Sequence, residues 1–89
     1  MVTKQEFHNR IEYSNDKGLL HRLDGPAREW NDDTKEWWLN GLCHREDGPA
    51  IEYYDGSKSW YLNGNYYTEQ QWQQEIIKIK LERLKNYGN

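Results

Sequence analysis

Short apolar and aromatic runs alternate with polar turn residues through the middle of the chain, at a spacing that suits strands. Arg28 to Asn31 and Ile51 to Tyr54 read as strands with β-branched or aromatic character. Asp32-Asp33-Thr34 and Asp55-Gly56-Ser57 read as turns, and Lys35 to Leu39 and Lys58 to Leu62 as the strands that follow. Asn40-Gly41 and Asn63-Gly64 then give a strong hairpin signal, because both residues tolerate positive φ. At Asp24-Gly25-Pro26 and Asp47-Gly48-Pro49 proline interrupts pairing and makes a second kind of corner. Alternation puts Trp37 with Leu39, and Trp60 with Leu62, on one face, and Trp38 and Tyr61 on the other.

From Thr68 the period changes from two to that of a helix. Thr68-Glu69-Gln70-Gln71 fits a capping box. Trp72, Ile76, Ile77, Ile79, Leu81 and Leu84 follow at helical spacings, with acids early, bases late and Gly88 placed to cap the end. These apolar positions cover roughly 200° of the helix, more than one docking stripe needs. The expectation is that part of this surface meets another molecule. Trp72, Ile76, Ile79 and Leu84 are the candidate interface of a homo-oligomer, a dimer first.

The β region repeats itself. Leu19 to Gly41 and Leu42 to Gly64 align at an offset of 23 with 14 identical positions. Upstream, Ile11-Glu12-Tyr13 echoes Ile51-Glu52-Tyr53, which suggests a shortened copy over about residues 7–18 that lacks the tryptophan strand. The expected fold is α+β but mostly β: an antiparallel meander of six or seven strands, built from tandem β-hairpin repeats of about 23 residues at 19–41 and 42–64. One C-terminal amphipathic helix over about 68–87 completes a single domain.

Composition sharpens this picture in three ways. The 89 residues include five Trp and seven Tyr but few aliphatics, so large rings must serve as core, as binding surface, or as both. A formal charge of −3 with mixed signs argues against binding long nucleic acid. Cys43 is the only cysteine, the first six residues have no apolar run, and no segment suits a membrane span, so the expected location is the cytoplasm.

Two copies of His-Arg-x-Asp-Gly-Pro-Ala stand at 21–27 and 44–50. With Lys-x-Trp-x-Leu-Asn-Gly and the Tyr-Thr-Glu-Gln-Gln-Trp start of the helix, they resemble small repeat proteins of large tailed bacteriophages, a variant of the MORN repeat. The likeness spans about Ile11 to Leu84. It implies β-hairpin repeats, no catalytic centre, a place in the host cytoplasm and a role in countering host defence. Such a protein would block a defence protein or sequester a nucleotide messenger.

The polar set His21, Arg22, Asp24 and Glu29 recurs as His44, Arg45, Asp47 and Glu52. One reading is architectural: the Asp side chains accept backbone N–H groups in their corners, and each Arg pairs with a Glu across strands. The other is a site for a cyclic dinucleotide or related messenger. There Arg22 and Arg45 would grip phosphate, and Trp38, Tyr61, Trp30 and Tyr54 would stack on bases. His21, His44, Glu29 and Glu52 would bond base edges or ribose. A protein-protein inhibitor of a host enzyme is the alternative, and a structural assembly protein the third. A zinc site from His21, His44, Asp24 and Asp47 matches no ligand spacing, so neither metal nor cofactor is expected. Cys43 and His44 are adjacent in a strand and point to opposite faces, which disfavours a thiol–imidazole pair. No phosphate loop or serine elbow appears, so no enzymatic activity is expected.

Overall fold

The computed structural model describes residues 1–87, with side chains through Lys85. The Gly88 cap expected from sequence lies outside the described residues. Nine short strands precede the helix among these residues: β1 Thr3–Glu6, β2 Arg10–Ser14, β3 Arg28–Trp30, β4 Lys35–Glu36, β5 Trp38–Leu39, β6 Leu42–Cys43, β7 Ile51–Glu52, β8 Lys58–Leu62 and β9 Asn65–Tyr67. Helix α1 spans Glu69–Tyr87. Seven strands form an antiparallel meander in the order β1-β2-β3-β4-β7-β8-β9, and β5-β6 is a separate hairpin.

Turn chemistry explains the topology. Asn40 and Gly41 have φ of 49° and 80°, and Asn63 and Gly64 have 52° and 82°, so both two-residue loops are tight hairpin turns. The longer turns place one left-handed residue each, Asp33 at φ 75° and Gly56 at φ 87°. They are closed by Trp30 N–H to Thr34 C=O and by Tyr53 N–H to Ser57 C=O. Asp32 and Asp55 each accept the N–H two residues on, at 2.9 Å. These turns claim Asn31, Tyr53 and Tyr54, so the strands expected to reach them end earlier.

The strand expected over Lys35 to Leu39 is broken at Trp37. The Trp37 N–H donates to Ala50 C=O, and its own C=O accepts from His44 N–H. Lys35 and Glu36 therefore pair with β3 and β7, and Trp38 and Leu39 pair with β6. The corresponding Lys58 to Leu62 stays whole as β8, with Trp60 paired to Tyr67.

The N-terminal segment also departs from expectation. Tyr13 N–H donates to Ala27 C=O, and Tyr13 C=O accepts from His21 N–H, the same two bonds that Trp37 makes to Ala50 and His44. Tyr13 thus stands where Trp37 stands, and β2 is the counterpart of the strand that seemed to be missing. β1, which carries no apolar alternation, supplies the partner strand.

Apolar core is scarce. Leu62, Trp72 and Ile76 are buried together, with Trp60, Tyr67 and Ile79 packed against them. Ala27 and Ala50 are wholly buried where backbones from two neighbours converge. Thr68 caps the helix as expected: Gln71 N–H donates to Thr68 Oγ1, and Thr68 N–H donates to Gln71 Oε1. The first half of α1 docks on β8 and β9, and Trp72 Nε1 donates to Arg45 C=O at 3.0 Å. The molecule is thin, with extents of 48 × 32 × 17 Å.

Candidate functional site

Each His-Arg-x-Asp-Gly-Pro-Ala segment is tied into the fold by the same contacts. His21 Nδ1 accepts the Asn40 N–H, and His44 Nδ1 accepts the Asn63 N–H, both at 2.9 Å. Each imidazole therefore braces a tight Asn-Gly turn and carries its proton on Nε2. His44 Nε2 donates to Glu46 at 3.0 Å.

The arginines are clamped in equivalent ways. Arg22 Nε donates to Asp24 and Arg45 Nε to Asp47, both at 2.9 Å. Arg22 Nη1 donates to Pro26 C=O at 3.2 Å, and Arg45 Nη1 to Pro49 C=O at 3.0 Å. The expected pairing with glutamate is present, at 2.9 Å for Arg45–Glu52 and 3.8 Å for Arg22–Glu29. Each guanidinium also lies over a ring, Arg22 over Tyr13 at 4.0 Å and Arg45 over Trp37 at 3.7 Å. Asp24 and Asp47 thus receive arginine, and a backbone N–H also acts on Asp24 as expected. The Arg22 bond and charge hold the Asp24 carboxyl below its ordinary range.

The glycine of the motif makes room for the clamp. A Cβ on Gly48 would stand 2.9 Å from Arg45 Cζ, and one on Gly25 would stand 3.1 Å from Arg22 Cζ. The pattern shared by the two segments is therefore one of mutual fit: His braces the turn, Arg clamps, Asp and Glu hold Arg, Gly clears space and Ala is buried.

The structure divides the candidate ligand-binding residues. Arg22, Arg45 and His44 do share a groove of about 610 Å³ with Asp24, Asp47, Glu46 and Trp37. Trp37 had been assigned to the other face from Trp38 and was not a candidate. Trp38 and Tyr61 line a different hollow of about 420 Å³, with Leu42, Cys43 and Ile51. His21 borders a third, near Asn15 and Asn40. Tyr54 is 70% exposed and stands apart.

Trp30 and Trp38 belong to a polar cluster that sequence reasoning missed. Trp30 Nε1 and Trp38 Nε1 both donate to Glu36, at 2.7 and 2.9 Å, and Arg28 Nη1 donates to it at 3.1 Å. Arg28 and Arg10 also donate to Glu12, at 2.9 and 2.8 Å. Burial alone would raise the Glu12 carboxyl, but the two guanidinium bonds and charges overcome it and hold it low. Glu36 and Arg28 have Ser59 and Ile51 as counterparts, so no repeat signal marks this cluster.

Electrostatics limit what the groove can hold. Arg22 and Arg45 face Asp24, Asp47 and Glu46 along the same lining, so acids outnumber bases. Glu46 is bonded by Arg83 at 2.6 Å and by His44. Its burial raises its pKa, but these two partners lower it further than burial lifts it, leaving it below the usual range. Cys43 is buried on the Trp38 side, away from the His44 groove, and desolvation together with the Glu36 charge pushes its thiol to about 12. It is a poor nucleophile at neutral pH.

The candidate oligomer interface is also redrawn. Trp72 and Ile76 are buried in the protein's own core, and Ile79 packs against it. Of the four expected residues only Leu84 is exposed, at 65%. The reason is helical geometry: residues 72, 76 and 79 share one face, and that face docks on β8 and β9.

Among the described residues no group of three or more His, Cys, Asp or Glu side chains could hold a metal ion. None of the described helix is long and apolar enough to cross a membrane. Comparison with protein-family models, curated proteins and solved structures gives no match, so the geometry above is what bears on function.

Proposed function

We propose that this protein is a non-catalytic protein-binding module, in which the repeated His, Arg, Asp and Glu residues frame the fold and exposed apolar side chains meet the partner. The observation that carries this reading is the state of the arginines. In each guanidinium Nε and Nη1 are engaged by an Asp, a proline carbonyl and a nearby Glu, and one face lies over a ring, so only the Nη2 edge remains for a phosphate. Exposed apolar groups away from the arginine groove include Tyr54, Tyr66, Ile77, Leu81 and Leu84, and Leu23 stands on the groove's own lining. The likeness to small phage repeat proteins supports a host defence protein as the partner.

One observation favours a second reading, that of a nucleotide messenger trap. Arg22, Arg45, His44 and Trp37 do border one groove of a size that suits a small ligand. Its acid excess and the absence of Trp38 and Tyr61 from it weigh against an anionic ligand.

Photo-crosslinking separates the two. Benzoylphenylalanine placed at Leu23, Tyr54 or Leu81, in the cell that makes the protein, should give a discrete protein adduct from at least one position. Calorimetric titration with a panel of cyclic nucleotides should give no heat. Saturable heat with a nucleotide, and no adduct from any position, overturns the proposal.

A further inference from the structure

Helix α1 carries two apolar faces, and the fold uses only one. Trp72, Ile76 and Ile79 turn toward β8 and β9, and Arg83 follows on the same side to reach Glu46. Ile77, Leu81 and Leu84 are 59%, 54% and 65% exposed. At 100° per residue their stripe centres roughly 140° from the docked face. It is therefore a second, separate seam and not the rim of the core.

Charge says what can cover that seam. Lys80 borders it on one side, and Lys78 and Lys85 on the other, each within about 100° of its centre. Glu82 shares the surface hollow of Leu81, Leu84, Lys78 and Lys85, and Glu75 and Glu82 pair with Lys78 and Lys85 within the helix, so the flanks carry three bases against two acids and keep a net positive charge. With Ile77, Leu81 and Leu84 as the central positions of a helix–helix contact, the three lysines fall at the flanking positions that meet a partner's flanks. A second copy of this chain would bring lysine against lysine in either orientation. An anionic, leucine-bearing helix would bring carboxylates.

We propose that this face of α1 docks an acidic amphipathic helix of another protein, with the Ile77–Leu81–Leu84 seam buried and Lys78, Lys80 and Lys85 paired to its carboxylates. The inference rests on the protein-binding reading and assigns its surface.

The probe is a synthetic peptide of about three heptads, with leucine at the central positions and glutamate at the flanks. Fluorescence anisotropy at about 50 mM salt should show saturable binding, weakened at least fivefold at about 500 mM. The double variant Leu81→Glu/Leu84→Glu should abolish binding while its melting temperature stays unchanged, since both side chains are exposed. A peptide with lysine flanks should not bind.

The inference is overturned by no binding of the acidic peptide, by equal binding of acidic and basic peptides, or by a dimer in sedimentation that the double variant dissolves. Preferential binding to vesicles of phosphatidylcholine and phosphatidylglycerol would overturn it in favour of a membrane surface. Should the peptide fail while Leu23 or Tyr54 still crosslinks a protein, the helix assignment falls and the protein-binding reading stands. Failure of the peptide and of every crosslink removes both.

Discussion

The segments 19–41 and 42–64 share most of their sequence yet cover their central tryptophans differently. In the first, Trp37 lies under the Arg45 guanidinium at 3.7 Å. In the second, Trp60 lies against Trp72 of the helix, with ring centroids 4.7 Å apart. Upstream, Tyr13 lies under Arg22 at 4.0 Å. The helix therefore stands where a further arginine clamp would stand, and it ends the series with an apolar lid. The lesson is that one hairpin can be closed either by a charge-balanced polar stack or by hydrophobic burial. Only the second kind creates a core cluster.

The largest test of that difference is at the lid. Trp72→Ala should cost about 3–5 kcal/mol, because it empties the buried cluster with Leu62 and Ile76 and removes the bond to Arg45 C=O. Chemical denaturation measures it. A loss below about 1 kcal/mol would mean that the helix is not the closing element.

Arg45→Ala comes next, at about 2–3 kcal/mol, since it strips partners from Asp47, Glu52 and Pro49 and bares one face of Trp37. Arg22→Ala should cost about half as much, because its Glu29 contact is longer and its ring is tyrosine. Equal losses would erase the distinction between the clamps.

Asp33 and Gly56 give a smaller contrast. Both hold positive φ, but only glycine does so without strain. Asp33→Gly should raise stability by a few tenths to about 1 kcal/mol, read as a higher unfolding midpoint. A decrease would show that the Asp33 side chain contributes more than its backbone strain costs.

The pH dependence should be modest and should appear on the acid side. Glu12 and Glu46 have carboxyls lowered in the folded state, so their contribution is present above the ordinary carboxylate range and is lost as pH falls through the lowered values. The share of stability that these two carboxylates supply should be lost below about pH 4, read from the unfolding midpoint. Glu46→Gln should reduce that loss. In the same preparations Cys43 should resist iodoacetamide at pH 8 until the protein is unfolded, consistent with its thiol near 12.

Much of the β framework was legible because turn chemistry is local. Asn40-Gly41 and Asn63-Gly64 announce hairpins, and Thr68 with Gln71 announces the helix start, without reference to the rest of the chain. The break at Trp37 was not legible, because it arises where one strand changes partners between Glu36 and Trp38. β1 was not legible because Thr3-Lys4-Gln5-Glu6 is exposed throughout and carries no alternation. The polar set of the motif was visible as a repeat, but its purpose was not. That purpose depends on an arginine reaching a ring supplied by an earlier strand, which no local pattern encodes. The Glu36 cluster escaped notice for the opposite reason, since it occurs once.

The central claim is that the two arginines hold the fold together rather than waiting for a ligand. Equilibrium denaturation of the double variant Arg22→Gln/Arg45→Gln tests it most directly. The expected loss is close to the sum of the two single losses, about 3–4 kcal/mol, because the two clamps share no hydrogen-bond partner. Stability unchanged to within about 0.5 kcal/mol would contradict it and return both guanidiniums to the service of a bound anion.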